Sequence, residues 1–469
     1  MKQRAAIFRC AFLLLAGLLP GTLSGRAQAQ APAPALAHVP VPDRQVASRV
    51  DEYMEALLRV RGYGASVLIA RGDRVIVSRG YGLANAELGV ANTPETVFRI
   101  GSITKPFTAA AILLLQERGR LSTQDLLCAH LADCPEAWRA VTLHHLLTHS
   151  SGIANVTALP DWNALKTLPA APAAVVARFS PLPLRFAPGE RFEYSNSNYI
   201  LLGLVIERAS GQAYEAFMRE AVFAPLGLES TDYDHPARLV RNRAAGYSRD
   251  GASIVNAPYA DMSLPFAAGA LHSTTGDLLR WARALEAPGF LSQRSLEAMF
   301  TPFRQGYAYG WGVGTLLDRR HVGHTGGIEG FSTHISRFPD ERATVIVLSN
   351  NDAAVANVIA RDLAAILFGE PYEIPSVPRQ VAIDPRLYDE YVGRYEIAPG
   401  AVLTVTRDGP RLMATSGADP GAEIFPASET EFFLRVIDAR ISFVRGEGGR
   451  VTGLVLHQNG QDVPARKVE

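Results

Sequence analysis

Ser102-Ile103-Thr104-Lys105 places a hydroxyl and an amine three residues apart at the head of an apolar run, Phe107 to Leu115, in a chain of 469 residues. If a helix begins near Ser102, that spacing sets the Lys105 side chain one turn on, over the same face as the hydroxyl, so the two can share a proton. A helix start also offers backbone N–H groups and the positive end of the dipole to developing negative charge. Phe107, Ala110, Ile112, Leu113, Leu114 and Leu115 leave no polar face. The helix should therefore be buried, and burial lowers a lysine pKa by disfavouring the charged form. The chemistry these residues predict is a nucleophilic serine served by a lysine base.

Composition makes the lysine more pointed. Of 46 basic residues only Lys2, Lys105, Lys166 and Lys467 are lysines. Arginine keeps its proton at physiological pH, whereas a desolvated lysine can release it, so a lysine inside an apolar helix points to chemistry rather than surface charge. Four lysines still give a roughly one in five chance of some accidental Ser-x-x-Lys, so partners must come from elsewhere in the chain.

Two other stretches can supply them. Pro188 to Tyr199 contains Tyr194-Ser195-Asn196 on a loop before the apolar helix Ile200 to Ile206. A phenol can relay protons and an amide can orient a substrate carbonyl, although the same residues also read as a packed tyrosine with helix-capping asparagines. His324-Thr325-Gly326-Gly327 puts a polar side chain beside glycines that let a ligand approach the backbone; a glycine-rich strand entry with a surface histidine is the other reading. His145 and His149 are four apart, but the glutamate of His-Glu-x-x-His and a third ligand are missing. That stretch predicts a helix ending in a Ser-Gly turn, with no metal. No cofactor is expected.

The elements that must position these residues follow from periodicity. Val46, Val50, Tyr53, Met54, Leu57 and Leu58 recur at helical spacing, and residues 65–77 read as a β-hairpin turning at Arg71-Gly72-Asp73. Residues 121–285 read as a helical insertion with few strand-like runs, in which Thr274 to Asp277 forms a capping box. Strands return at residues 309–314, 321–327, 331–338 and 343–348, and a helix closes the domain over residues 353–368. Four prolines between 371 and 385 mark a linker, and the short strand-like runs after it predict a small all-β barrel over residues 386–469. The fold class expected is an antiparallel sheet flanked by helices, with the insertion, followed by that barrel.

Bulk properties exclude several roles. Basic and acidic residues balance at 46 each, which argues against nucleic acid or an anionic membrane as partner. Lys2, Arg4 and Arg9, an apolar core from Ala11 to Leu19 and Ala27-Gln28-Ala29 read as a secretory signal peptide over residues 1–29, with an Ala/Pro linker over 30–42. The core is too short to span a bilayer, and no membrane anchor is expected. The compartment predicted is the periplasm or the exterior. Cys128 and Cys134, the remaining cysteines, either pair in that oxidising setting or persist as two buried thiols, and neither has zinc-site companions.

Ser102-x-x-Lys105, Tyr194-x-Asn196 and His324-Thr325-Gly326, in that order, resemble the three motifs of the serine β-lactamase and penicillin-binding superfamily. The resemblance runs over about residues 46–370. It is nearest to the class C-like branch, also called CubicO or β-lactamase-related serine hydrolases, and includes Leu146 to Gly152 and Pro225-Leu226-Gly227-Leu228. It implies that Ser102 is acylated, that Lys105 and Tyr194 handle protons, and that Asn196, His324, Thr325 and Gly326 hold substrate. The backbone N–H groups of Ser102 and Gly327 would form the oxyanion hole. Class C lactamases generally carry lysine at the position of His324; histidine there resembles D-alanyl-D-alanine carboxypeptidases, D-amino-acid peptidases and esterases of the branch. The implied substrate is a small molecule or peptide, D-alanyl amides of the kind found in peptidoglycan first. A small ester, a β-lactam, or a penicillin-binding receptor that hardly turns over are the alternatives.

Overall fold

The computed structural model describes residues 41–250, 253–376, 378–398, 400–417, 421–434, 439–458 and 461–468. The expected signal peptide, and the Ala/Pro linker up to residue 40, lie outside these. Pro42–Arg249 with Ile254–Ser376 form one compact unit, and Val377–Glu469 make up most of a second.

The first unit starts with α1 (Asp43–Arg61), which buries Val46, Val50, Tyr53, Met54 and Leu57 and stops at Gly62 in the left-handed region. β1 (Ala65–Arg71) and β2 (Arg74–Tyr81) form the expected hairpin. Next come α2 (Thr104–Glu117), α3 (Leu143–Leu147), α4 (Asn196–Ser210), α5 (Thr275–Ala284) and α6 (Gln293–Phe300). β3 (Gly312–Leu316), β4 (Arg319–Ile328), β5 (Phe331–Phe338), β6 (Ala343–Ser349) and α7 (Ala356–Phe368) complete the unit. The strands make one antiparallel sheet in the order β3-β4-β5-β6-β1-β2. Every residue of β5 and β6 is buried. Helices cover both faces, with α7 packing on β5 and β6 and α5 packing on β6 and β1. This is why Ala343 to Leu348 reads as a continuous apolar run rather than an alternating one.

The stretch predicted as a helical insertion does hold short helices, but it also carries strands. Leu271–Ser273 pairs with Asp232–Tyr233 on one side and with Phe98–Arg99 on the other. Such two- and three-residue strands are too short to show a period in sequence. Cys128 and Cys134 are joined in a disulfide. α2 is buried from Thr104 to Leu115, with Phe107 stacked 4.2 Å from Trp281. Thr274 caps α5 by accepting the Asp277 N–H.

In the second unit eight antiparallel strands, from Gly393–Ala398 to Gln461–Lys467, close into a barrel by pairing the first with the last. The strand Ala439–Arg445 alternates inward Ile441 and Phe443 with outward residues, and Phe443 stacks 4.4 Å from Tyr391. This closed architecture leaves no open sheet edge.

Candidate active site

Ser102 sits in the middle of a 3-10 turn, Gly101–Ile103, and α2 begins just after it at Thr104. The hydroxyl and the amine thus share one face, as their spacing requires. Gly101 has φ +50, and a Cβ there would lie 2.9 Å from the Gly327 backbone nitrogen. A Cβ on Gly326 would lie 2.0 Å from the Ile100 carbonyl oxygen. Only glycines allow β4 to run directly against the serine turn and bring the Gly327 backbone alongside it.

Lys105 is fully buried. Its Nζ lies 2.8 Å from Ser102 Oγ, 2.9 Å from Asn196 Oδ1 and 2.8 Å from the Ala268 carbonyl oxygen. Burial pushes its pKa well below the ordinary lysine value. A neutral amine has two N–H bonds and one lone pair. Asn196 Oδ1 and Ala268 O can only accept, so they take both N–H bonds and leave the lone pair facing the serine hydroxyl. Asn196 cannot turn its amide round without loss, because its Nδ2 donates to Thr157 Oγ1 at 3.3 Å.

Tyr194 precedes α4 and lies beneath the ammonium position, with Lys105 Nζ 4.8 Å from its ring centroid. Burial raises its phenol pKa, against an opposing hydrogen bond with Ser102. The phenol is therefore a neutral O–H beside Ser102. His149 backs it at 4.3 Å between ring centroids. His149 adopts φ +53, and its Nδ1 accepts from the Ser195 N–H and from Asn198 Nδ2, both at 3.2 Å. The proton is thereby on Nε2, which has no hydrogen-bond partner among the described residues. Burial holds this imidazole neutral. His145 instead accepts from the Thr142 N–H to complete a capping box on α3. The two histidines whose spacing resembled a metal pair thus each serve local structure. Among the described residues no group of three potential ligands could hold a metal ion.

His324 departs from expectation. It is buried, its Nδ1 donates to the Thr325 carbonyl at 2.8 Å, and its Nε2 faces the Tyr307 hydroxyl at 3.0 Å. A carbonyl only accepts, so Nδ1 carries the proton and Nε2 accepts from the phenol. Desolvation lowers the pKa to about 3. The side chain is a neutral, buried part of β4, with both nitrogens occupied inside the protein and no partial charge to offer a substrate. Thr325 and Gly327 are the exposed residues of this segment. Thr325 Oγ1 meets His334 Nδ1 at 2.8 Å, and His334 Nε2 and His321 Nε2 each lie 2.9 Å from Ser336 Oγ. Sequence reasoning did not single out Ala268, Tyr307, His334 or Ser336, and treated His149 only as half of a metal spacing. For His149 alone a signal existed, its place in the Leu146 to Gly152 stretch.

Residues 46–368 match the family described as Beta-lactamase. The chain belongs to that family. Residues 377–466 match a separate domain of unknown function, DUF3471. Penicillin-binding protein 4* of Bacillus subtilis is 31% identical over 438 residues, 88% of this chain and 96% of its own. The octameric penicillin-binding protein homologue from Pyrococcus abyssi superposes with TM-score 0.64 at 27% identity over 89% of this chain and 99% of its own. A D-stereospecific amidohydrolase from Streptomyces superposes with TM-score 0.60 at 25% identity, covering 68% of this chain and 99% of its own. The chain is a serine hydrolase of the β-lactamase and penicillin-binding family, with an antiparallel sheet flanked by helices and a C-terminal all-β barrel.

Proposed function

We propose that this hydrolase works through an acyl-enzyme on Ser102 and cleaves amide bonds of D-alanyl or related D-amino-acid peptides. The observation that carries the reading is the Lys105 contact set, in which two obligate acceptors leave the amine lone pair to the serine hydroxyl. Ser102 Oγ attacks the carbonyl carbon as its proton passes to Lys105 Nζ. The oxyanion that forms is received by the backbone N–H groups of Ser102 and Gly327. Tyr194, a neutral phenol beside Ser102, passes a proton to the departing amine and regains one as Lys105 is reset. Water then releases the acid and regenerates Ser102. Asn196 orients Lys105 and reaches toward substrate, and Thr325 with Gly326 lines the strand along which substrate lies. The D-amide preference rests on the likeness to the D-stereospecific amidohydrolase and on the penicillin-binding relatives.

A short-chain ester is the second reading, favoured by one observation. With His324 neutral, no fixed cation stands where a lactamase lysine would receive a substrate carboxylate. Export to the periplasm or exterior, with peptidoglycan fragments as natural substrates, is proposed from the leader-like first residues. The deciding experiment presents purified protein with D-alanyl p-nitroanilide, p-nitrophenyl acetate and a fluorescent penicillin. Turnover of the D-anilide above its L-isomer supports the first reading, and rapid ester turnover alone supports the second. Stoichiometric penicillin labelling without turnover of either substrate points to a slowly deacylating receptor. Absence of any Ser102-dependent reaction overturns all three.

A further inference from the structure

A cavity of about 470 Å³ opens between the α5–α6 region and strands β4, β5 and β6, and it shares no residue with the Ser102 cluster. Its apolar lining includes Leu285, Leu296, Val322 and Phe338. Arg337 also lines it, from the C-terminal end of β5 between Val322 of β4 and Thr344 of β6. We propose that this cavity is a binding site for a small organic carboxylate, whose charged end is received by Arg337.

The argument starts from the cost of that arginine. Arg337 is only 5% exposed. Its guanidinium lies 5.0 Å from the Phe300 ring centroid and 5.9 Å from that of Trp311, contacts that satisfy none of its hydrogen-bond donors. Its five N–H donors sit at the edges, and among the described residues no hydrogen bond or ion pair reaches them. Burial lowers its pKa to about 10, with Glu286 opposing from beyond ion-pair distance and Arg320 reinforcing the shift. Other arginines of low exposure are handled differently. Arg99 meets Asp234 at 2.6 Å, and Arg319 meets Glu370 at 3.0 Å. A buried charge without a partner is costly to keep, so a guanidinium held at a cavity wall calls for an anion that enters from outside.

The surroundings narrow the anion. Arg320 stands exposed at the rim and raises the local concentration of negative ligands, while Arg342 beside it is paired with Asp73 at 3.5 Å. Glu286 and Glu297 stand there too and oppose a second negative charge on the ligand. A mixed lining, with apolar side chains beside one buried fork of donors, suits a monoanion with an apolar body. A planar carboxylate can take two N–H bonds from the guanidinium edge while its hydrocarbon part covers Leu296 and Val322. Inorganic phosphate shares the charge but has nothing to place on those side chains.

The test uses the full chain and titrates sodium benzoate by calorimetry, with sodium phosphate in parallel and chloride held constant. Wild type is compared with Arg337→Met, which keeps the side-chain length without the charge, and with Arg320→Gln at the rim. The expected result is saturable one-to-one benzoate binding, weakened about tenfold or more by Arg337→Met and several-fold by Arg320→Gln. Ester hydrolysis should be unchanged in both variants. Should Arg337→Met fail to fold, the Arg320→Gln loss carries the decision. No saturable benzoate binding, affinity unchanged in the variants, phosphate binding tighter than benzoate, or benzoate competing with the ester at Ser102 would each overturn the proposal.

Discussion

Thr325 Oγ1 and His334 Nδ1 face each other at 2.8 Å across the β4–β5 pair, and the contact continues through His334 Nε2 and Ser336 Oγ to His321 Nε2. Ser336 has one proton for two histidines, so it donates to one and accepts from the other. If it donates to His334, the His334 Nδ1–H donates to Thr325, and the Thr325 hydroxyl proton is free for a substrate oxygen. The reverse direction leaves Thr325 as an acceptor only. Removing His334 unlocks this choice at an exposed residue beside Gly327. His334→Phe should raise KM for the D-amide about fivefold with kcat nearly unchanged, matching Thr325→Val, as expected for one net hydrogen bond. Steady-state kinetics of the two single variants and the double variant check this. Additive KM effects would show that the two side chains act separately.

Lys105→Arg puts a permanently protonated group in place of the neutral amine and so removes the base. Acylation should fall by roughly 10²–10⁴-fold, the usual worth of a general base, while the circular dichroism spectrum is retained. Stopped-flow acylation by a fluorescent penicillin measures it.

The same lysine sets the acid limb of the pH profile. Lys105 must be neutral to accept the serine proton, so activity is present above its pKa and is lost as pH falls through it. Because burial depresses that pKa, the limb in kcat/KM should have its midpoint well below the ordinary lysine value of 10.5. His324, lowered to about 3, contributes no limb near neutrality. A titration of kcat/KM in wild type and in a His324→Gln variant separates the two groups, since the limb should stay where it is when the imidazole is gone.

His149→Ala removes the ring that backs Tyr194 and strips the acceptor from the Ser195 N–H and Asn198 Nδ2. A buried aromatic-sized cavity together with unsatisfied donors should cost about 3 kcal/mol or more of stability. A urea midpoint measures it. With Tyr194 freed, kcat should fall more than KM changes.

Gly326→Ala would put a methyl group 2.0 Å from the Ile100 carbonyl oxygen and 2.4 Å from Thr333 Oγ1, forcing β4 away from the serine turn. An oxyanion pair that no longer fits should lower kcat by about 10²–10³-fold. Gly327→Ala, where no atom stands within 4 Å, is the matched control and should be far milder.

Local geometry made part of this protein legible from residues alone. The Ser102–Lys105 contact is a three-residue helical spacing, the burial of α2 follows from its largely apolar run, and the hairpins over residues 65–77 and 331–348 follow from period and turn residues. The barrel followed from short strands and Gly turns. What tertiary structure alone decided lies in contacts between residues far apart in the chain. Ala268 O meets Lys105 Nζ across 163 positions, His324 is neutralised by burial and by Tyr307, and the left-handed backbone of His149 turns its ring under Tyr194 instead of toward solvent. Whether Arg337 finds a partner is likewise a property of packing. Charge state and hydrogen-bond direction depend on what surrounds a group in space, and residue type and spacing carry that information only within a helical turn or along a strand.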